Sequence, residues 1–265
     1  MACLTAADDQ PPVRVFNADG SSKFLLVADH AGNSIPGYLK DLGLDATDLS
    51  RHIAWDIGIA GVCQVLSERL DATLIAQTMS RLVIDCNRPL GSVQSIPQIS
   101  DGTFVPGNAH LDLDARLHRE RAIFYPYHAR IAAEIDRRAL AGRPTALIAM
   151  HSFTPVLGGK ARPWQVGVLH RRDRRLGDAL LEVLRRDPDL TVGDNEPYSI
   201  SDATDWTLPV HGEQRGLLHV GIEIRQDLIL RSQDQAAWGA RLAQMLEAAL
   251  CLVLERHVQG AHAAG

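Results

Sequence analysis

Four short, largely apolar segments of this 265-residue chain each run directly into a group that contains polar residues. The segments are residues 24–28, 82–84, 146–150 and 219–222, and the groups that follow are Asp29-His30, Asp85-Cys86-Asn87-Arg88, His151-Ser152 and Glu223-Ile224-Arg225. Short apolar runs with polar ends are typical of buried strands in a mostly parallel sheet. Because ligands of open α/β sheets lie at the carboxyl ends of the strands, we expect these polar groups to converge on one crevice.

Strand and helix patterns alternate along the chain, which predicts an α/β fold. We expect one three-layer α/β/α domain with a mostly parallel, mixed sheet at residues 23–258, after a loose N-terminal lead-in at 1–22. The predicted strands are 23–29, 72–77, 81–86, 145–150, 165–170 and 218–224, and the predicted helices are 46–70, 112–140, 174–186 and 234–256. Two long loops, 89–110 and 193–216, remain, and loops of this length in compact domains are usually functional.

Composition favours a large folded domain and argues against several classes of partner. A hydrophobic content of 46% is enough for a well-buried core, and a net charge of −5 argues against a nucleic-acid groove or a polybasic membrane surface. No run approaches the ~18 consecutive apolar residues of a membrane span. The polar N-terminus predicts no signal peptide, and the four scattered cysteines, Cys3, Cys63, Cys86 and Cys251, predict reduced thiols in a cytoplasmic protein.

Two histidines at predicted strand ends indicate a metal site. His30 and His151 each follow a buried strand, and a neutral imidazole there is a common zinc ligand, although a single such histidine is more often structural. Asp56 lies among apolar residues, where a carboxylate needs a partner, and we interpret it as the third ligand. Asn33 is a rival, but an amide oxygen is a poorer zinc ligand than a carboxylate. Asp29 is placed to orient the loop or an imidazole ring.

Glu223 lies between apolar residues of the last predicted strand. Burial would raise its pKa towards the range useful to a general base, and the alternative is a structural salt bridge to Arg225 or Arg88. Arg88, with Asn87 beside it, presents a planar fork that suits a substrate carboxylate. Arg81 begins the same segment and is interpreted as a group that stabilises the reacting oxygen, with a structural ion pair as the alternative.

The second long loop carries His211 and could act as a lid, so His211 is predicted to contact substrate. Arg225, on the same face of the last strand as Glu223, is predicted to contact substrate with Asn87 and Arg88. Neither Ser34 nor Ser152 lies in a G-x-S-x-G elbow, which argues against a serine hydrolase.

These segments resemble the N-formylglutamate amidohydrolase family, which is related to the zinc carboxypeptidases. The matching stretches are residues 29–36, Asp56 with its flanks, 80–89, 150–153 and 221–227, and they span most of the chain. Each is short, but their order and spacing together are fairly specific. The resemblance implies a central mixed sheet flanked by helices, and a single zinc ion.

The resemblance also implies roles for individual residues. His30 and His151 match the ligand histidines of the carboxypeptidases, whereas Asn33 stands where those enzymes carry a ligand glutamate. Asn87-Arg88 is similar to the pair that holds the substrate carboxylate. Glu223 is similar to the glutamate that activates water.

The sequence therefore predicts a zinc-dependent amidohydrolase. His30, Asp56 and His151 would bind one Zn²⁺ and leave a position for water, and Glu223 would act as general base. The substrate would be a small N-formyl or other N-acyl amino acid, such as N-formylglutamate, which is cleaved to the free amino acid and formate. The alternatives are a carboxypeptidase-like peptidase or deacylase on a longer substrate, and a non-catalytic binding protein that retains the fold.

Overall fold

A mixed sheet organises the computed structural model, which describes residues 10–263. The strands are β1 (Val13–Phe16), β2 (Phe24–Ala28), β3 (Thr73–Gln77), β4 (Ile99–Ser100), β5 (Thr103–Phe104), β6 (Ala146–Phe153), β7 (Val156–Leu157), β8 (Lys160–Ala161), β9 (Val166–Leu169), β10 (Val192–Asp194) and β11 (Leu218–Arg225). Seven of them form the main sheet in the order β1-β3-β2-β6-β11-β9-β10, and β4-β5 and β7-β8 form two small ribbons. The central strands β3, β2, β6 and β11 are parallel neighbours, and β1-β3 and β11-β9 are antiparallel pairs.

Helices cover both faces of the sheet. They are α1 (Ala46–Leu49), α2 (Ile59–Leu70), α3 (Leu113–Arg119), α4 (Tyr125–Leu140), α5 (Arg175–Leu184) and α6 (Ser232–Ala263), with π-helical turns at Glu120–Phe124 and Leu208–Glu213 and 3-10 turns at Gly37–Leu39, Pro106–Asn108 and Gln226–Leu228. In β2, Leu26 belongs to the buried cluster that contains residues of α2, α5 and α6, whereas Leu25 and Val27 belong to the cluster that contains residues of α4. Side chains alternate between the faces of a strand, so one strand contributes to both cores. The three-layer α/β/α prediction is confirmed.

Helix α6 is long and apolar enough, by length and composition alone, to cross a membrane. One such helix is weak evidence, because a core helix passes the same test. In α6, Leu242, Leu246 and Ala249 are fully buried, and the helix packs against α2 and α5. This face of α6 is therefore part of the core on one side of the sheet.

The predicted strand at residues 81–86 is wrong. The segment is buried as its composition indicates, but it forms a series of turns. Two of its carbonyl groups are satisfied by side chains rather than by a neighbouring strand. Asn108 Nδ2 donates to Leu82 O at 2.8 Å, and Arg119 Nη1 donates to Val83 O at 2.9 Å. Buried backbone groups need partners, and these two side chains remove the need for a sheet position.

Two further boundaries differ from the sequence prediction. The lead-in at 1–22 contributes β1, which pairs antiparallel with β3, while residues 1–9, and with them Cys3, lie outside the described residues. The helix predicted at 46–70 divides into α1 and α2. Gly58 precedes α2 with φ +81°, and an added Cβ would lie 2.2 Å from Ile229 O, so glycine permits this entry into the helix. Asp56 consequently lies in a connecting segment and not on a helix.

Glu134 forms ion pairs within α4 and holds Arg138, whose Nη1 and Nη2 tie the helix to Ser22 O and to Thr73 Oγ1 of β3. Its carboxylate accepts hydrogen bonds from Arg137 Nη2 at 2.7 Å and from Arg138 Nε at 2.9 Å, and Arg138 is fully buried. Burial raises the pKa of Glu134, but the two guanidinium groups outweigh it and lower the pKa from 4.5 to about 2. The charged carboxylate therefore stabilises the fold above the unfolded-state pKa, and this contribution is lost as the pH falls towards 2.

We expect Glu134→Gln to lower the free energy of unfolding at pH 7 by roughly 3 kcal/mol, as for other broken buried pairs. This loss of stability should shrink as the pH falls below the pKa of the unfolded-state carboxyl group, because the wild-type side chain is then protonated as well. Urea unfolding at a series of pH values measures both effects. Glu68→Gln on the exposed face of α2 is the control and should change stability by less than about 0.5 kcal/mol. A deficit that does not depend on pH would contradict this account.

Candidate metal centre

Parallel strands bring three predicted site residues to one edge of the sheet. His30 follows β2 after one intervening residue, His151 lies near the end of β6, and Glu223 of β11 pairs in register with His151. All three line a cavity of about 480 Å³. Asp56, Arg81, Asn87 and Arg88 line the same cavity. Seven of the nine side chains proposed from the sequence therefore meet at one place.

His30, Asp56 and His151 form a buried group whose possible ligand atoms lie within 4.8 Å of one another. Asp56 Oδ2 is 3.0 Å from His151 Nδ1 and 3.5 Å from His30 Nδ1. Within residues 10–263, His30 Nδ1 is buried and has no hydrogen-bond partner. Two imidazole nitrogens and a carboxylate are a donor set typical of zinc. The residues therefore fit a zinc ion, which would also satisfy the unpartnered nitrogen of His30.

The other nitrogen of each imidazole faces a carboxylate. His30 Nε2 lies 2.7 Å from Asp85 Oδ1, and His151 Nε2 lies 3.3 Å from Asp29 Oδ2. Histidines that bind metals almost always donate their second N–H in this way, which fixes the tautomer and the ring orientation. Here it leaves both Nδ1 atoms directed at Asp56. Asp29 thus orients a ring, as the sequence suggested, but the ring belongs to His151 and not to its neighbour His30.

These outer carboxylates have further partners. Asp29 Oδ1 accepts hydrogen bonds from Tyr127 Oη and from Thr207 Oγ1, both at 2.8 Å. Burial raises the pKa of Asp29, but the hydrogen bond and the charge of His151 lower it to about 2. Asp85, Tyr127 and Thr207 were not named as site residues from the sequence. The sequence feature that could have identified Asp85 is its position directly after an apolar segment, the same position that Asp29 occupies after residues 24–28.

Arg81 forms an ion pair with Asp85 and also lines the cavity. Its Nε and Nη2 donate to Asp85 Oδ2 at 3.0 and 2.7 Å, and its Nη1 lies 3.4 Å from Asp56 Oδ1. Burial raises the pKa of Asp85, but the Arg81 charge holds it well below its usual value. The structural ion pair that the sequence left open for Arg81 is therefore present.

Glu223 is a buried carboxyl group with an unused oxygen. Only 6% of the residue is exposed, and its Oε2 has no hydrogen-bond partner among the described residues. Burial raises its pKa to about 7. The positive charge of His151 opposes this rise, and the negative charge of Asp56 adds to it. Neither Arg88 nor Arg225 pairs with it, so the salt bridge considered from the sequence does not form. A carboxyl group of this kind can accept a proton near neutral pH.

Among the described residues, Arg88 forms its side-chain hydrogen bonds through Nη1 alone. Its Nη1 donates to Thr204 O at 2.6 Å and to Asn87 O at 3.2 Å, and it lies 3.9 Å from Asp205 Oδ1. The Nε and Nη2 atoms make no hydrogen bond with a described residue. The side chain therefore retains two parallel donors, which is the arrangement that binds a carboxylate in a bidentate manner.

Asn87 mainly fixes the segment that follows Thr204. Its Oδ1 accepts hydrogen bonds from the backbone N–H groups of Trp206 and Thr207 at 3.0 Å, and its Nδ2 donates to Asp205 Oδ1 at 3.3 Å. One N–H of the amide remains for a ligand. The structure thus gives Asn87 a positioning role in addition to its place in the cavity wall.

The structure does not bring Arg225 and His211 to the cavity. Arg225 lies at the end of β11, where its Nε donates to Asp227 at 2.8 Å and its Nη1 to the carbonyl groups of Arg162 and Pro163. His211 is buried in a π-helical turn and its Nε2 lies 3.0 Å from Nδ1 of the stacked His128. Neither side chain lines the cavity, and the hydrogen bonds that each makes lie elsewhere. The substrate contacts predicted for them from the sequence have no support in this geometry.

The rival ligand Asn33 also lies apart. Its Nδ2 donates to Leu49 O at 2.6 Å, and the compact donor group contains Asp56 in its place. The side-chain amide instead ties the loop after β2 to the end of α1.

Residues 22–230 match the sequence profile of the N-formylglutamate amidohydrolase family. The chain belongs to this family. As a member of the N-formylglutamate amidohydrolase family it is a hydrolase that acts on amide bonds, and the resemblance inferred from the short segments is confirmed. No curated protein sequence matches the chain significantly.

Two solved structures show how widely the fold of this N-formylglutamate amidohydrolase family member is shared. The gene product Atu2144 from Agrobacterium tumefaciens is 41% identical, with a TM-score of 0.92, over 95% of this chain and 99% of that chain. N-formylglutamate amidohydrolase from Ralstonia eutropha JMP134 is 17% identical, with a TM-score of 0.63, over 90% of this chain and 99% of that chain. At this lower identity the second match supports the fold alone.

The carboxylate behind His30 leads to a prediction for metal affinity. We expect Asp85→Asn to weaken zinc binding about 10- to 100-fold, because the amide no longer fixes the tautomer and orientation of the imidazole. Competition with a chromogenic chelator measures the affinity. Asp194→Asn is the matched control, since Asp194 Oδ1 is also 2.7 Å from a histidine, His170 Nε2, but lies outside the cavity. Equal affinities of the two variants, both folded by circular dichroism, would remove Asp85 from the site.

Proposed function

We propose that the protein is a zinc-dependent amidohydrolase that cleaves the amide bond of an N-formyl or other N-acyl amino acid. The products are the free amino acid and formate or the corresponding acid. One observation carries the proposal. The buried group of His30, Asp56 and His151 shares a cavity with the unpartnered carboxyl oxygen of Glu223.

His30, Asp56 and His151 would hold the zinc ion, with one Nδ1 from each imidazole and a carboxylate oxygen as donors. When bound, zinc supplies a Lewis acid that polarises the amide carbonyl and lowers the pKa of water to ~7. Asp29 and Asp85 keep the two rings in place while the reaction proceeds.

Glu223 would act as the general base. Its Oε2 takes a proton from the attacking water as the C–O bond forms and the carbonyl oxygen gains negative charge. Glu223 then passes the proton to the leaving nitrogen, and the C–N bond breaks as the C=O bond re-forms. Support comes from its burial, its unused oxygen and its register with His151 across the β6-β11 pair. Arg81, which lines the same cavity beside Asp56, would stabilise the negative charge that develops on the carbonyl oxygen.

Arg88 would bind the carboxylate of the amino acid through Nε and Nη2, with Asn87 fixing the wall beside it. The cavity volume of about 480 Å³ lies within the range of small-molecule sites, which favours a small amide over a long peptide. Unpaired thiols at Cys63, Cys86 and Cys251 support a cytoplasmic location.

Metal content and formate release, measured on one sample, test the proposal. Elemental mass spectrometry should find about one zinc per chain, as expected for a single three-residue site. A panel of N-formyl amino acids should release formate, a chelator should abolish the release, and added zinc should restore it. No metal and no release after zinc addition would overturn the proposal and favour a binding protein. Zinc with activity confined to longer peptides would favour the peptidase alternative.

The variant Glu223→Gln tests whether Glu223 acts as the general base and not as a metal ligand. The amide keeps the size of the side chain but cannot take up a proton, so kcat should fall about 10²- to 10⁴-fold while zinc content is unchanged. Steady-state formate release and elemental mass spectrometry measure the two quantities. Glu247→Gln on the exposed face of α6 is the control and should retain wild-type kcat. Turnover within a few fold of wild type in Glu223→Gln would show that another group is the base.

A further inference from the structure

Thr207 takes part in two sets of hydrogen bonds at the cavity wall. The residue is fully buried, lines the cavity and begins the π-helical turn that precedes β11. Its Oγ1 donates to Asp29 Oδ1 at 2.8 Å, and its backbone N–H donates to Asn87 Oδ1 at 3.0 Å. A threonine at the start of a helical turn commonly uses its hydroxyl to cap that turn, but Thr207 makes no such hydrogen bond. The hydroxyl is directed instead at a carboxylate 178 residues away in the chain.

On one side, the hydroxyl of Thr207 supports a proposed zinc ligand. Asp29 is buried, and its Oδ2 lies 3.3 Å from His151 Nε2. Its Oδ1 accepts hydrogen bonds from Thr207 Oγ1 and from Tyr127 Oη, both at 2.8 Å. The two hydroxyl groups therefore fix the rotation of the carboxylate, and the carboxylate fixes the imidazole whose Nδ1 faces Asp56.

On the other side, Thr207 ends a segment that Asn87 and Arg88 hold. We call residues 204–207 the bridging segment. Arg88 Nη1 donates to Thr204 O at 2.6 Å. The side chain of Asn87 contacts the other three residues, which are Asp205, Trp206 and Thr207. Every residue of the bridging segment is thus hydrogen-bonded to one of the two residues at the proposed carboxylate site.

Loss of the hydroxyl would affect both sides. A valine at this position has the size of threonine, but it places a methyl group against a buried, charged oxygen of Asp29. A buried, charged oxygen that loses a donor is destabilised, because water cannot replace the hydrogen bond. Movement of Asp29 would relieve this and change the orientation of His151. Movement of the bridging segment would also relieve it, and would change the position of the Arg88 side chain.

We propose that Thr207 is a positioning residue that links the zinc centre to the carboxylate-binding wall. Its hydroxyl orients His151 through Asp29, and it fixes the bridging segment beside Arg88. This inference rests on the zinc and carboxylate sites of the proposed function and adds to them a residue that acts through others. Zinc affinity and carboxylate affinity consequently depend on the same hydroxyl group.

Two substitutions at Thr207, each checked for folding by circular dichroism, test the link. Thr207→Val should lower zinc affinity about ten-fold, at the low end of the effect of losing a partner of a ligand histidine. It should also lower the affinity of the zinc-saturated protein for free amino acids about ten-fold, because the Arg88 side chain is displaced. Thr207→Ser keeps the hydroxyl, so both affinities should stay within about three-fold of wild type. Chelator competition measures zinc affinity, and calorimetry with glutamate, leucine and glycine measures binding of their shared α-carboxylate without turnover.

Tyr127→Phe is the matched control, because it removes the other hydrogen bond to Asp29 Oδ1. Tyr127 belongs to α4 and makes no hydrogen bond with the bridging segment among the described residues. The variant should lower zinc affinity as Thr207→Val does, and should leave amino acid affinity within about two-fold of wild type. Unchanged zinc affinity in Thr207→Val, or equal effects of the two variants on amino acid affinity, would overturn the inference.

A double-mutant cycle tests whether the effect passes through the bridging segment. Asn87→Ala removes the acceptor of two backbone N–H groups of that segment, and among the described residues the Asn87 side chain makes no hydrogen bond with a proposed zinc ligand. We expect it to lower zinc affinity at least about three-fold in the wild-type protein and much less in Thr207→Val, in which the link is already broken. Equal losses in both backgrounds would show that Asn87 and Thr207 act independently, which would overturn the link.

These measurements separate the inference from the proposed function. Zinc affinity and amino acid affinity are equilibrium quantities, and neither requires turnover. If no N-formyl amino acid is hydrolysed but the variants show the expected affinities, the proposed function fails and the link stands. If N-formyl amino acids are hydrolysed but Thr207→Val behaves like wild type, the link fails and the proposed function stands. A wild-type protein that binds no zinc, or none of the three amino acids, would also overturn the link.

Discussion

A buried set of carboxylates and imidazoles determines much of the architecture around the cavity. Asp56 Oδ2 lies near both Nδ1 atoms, while Asp29 and Asp85 face the opposite nitrogens. Charged groups in the interior are unfavourable unless each is paired, so every member must be held close to its partners. His151 lies on β6 and His30 just after β2, and the connecting segments deliver three carboxylates to within 3.5 Å of the imidazole nitrogens. The tertiary structure is arranged to meet this requirement.

The turns at residues 81–86 show how the requirement is met. In an extended strand, the seven steps from Arg81 to Arg88 would span about 23 Å at ~3.3 Å per residue. In the folded chain both side chains line one cavity, and Asp85 between them reaches His30. The turns are stabilised by Asn108 and Arg119, which bind backbone carbonyl groups that a strand neighbour would otherwise satisfy. Residues far from the chemistry therefore determine where the charged groups lie.

The residues of the cavity wall come from two kinds of segment. The groups suited to amide hydrolysis lie at strand ends and in the turns beside them. Other parts of the cavity wall come from Gly221 and Leu169 on strands, and from Ile200, Asp205 and Leu208 on the long connection before β11. Asn87 fixes part of that connection through backbone groups of Trp206 and Thr207. One scaffold can thus keep its chemistry while the substrate changes with a few residues.

The sequence by itself determined that the segments of β2, β6 and β11 are buried, and it predicted that their polar ends converge, because apolar runs with polar ends are typical of strands in a mostly parallel sheet. The parallel pairs β2-β6 and β6-β11 bring His30, His151 and Glu223 together. Only the tertiary structure decided that residues 81–86 form turns, that Asp85 serves His30, and that Arg225 and His211 lie outside the cavity. The reason is physical. The hydrophobicity of a segment indicates whether it is buried. It does not indicate which groups form hydrogen bonds with the polar atoms beside it, because those partners lie tens of residues away in the chain.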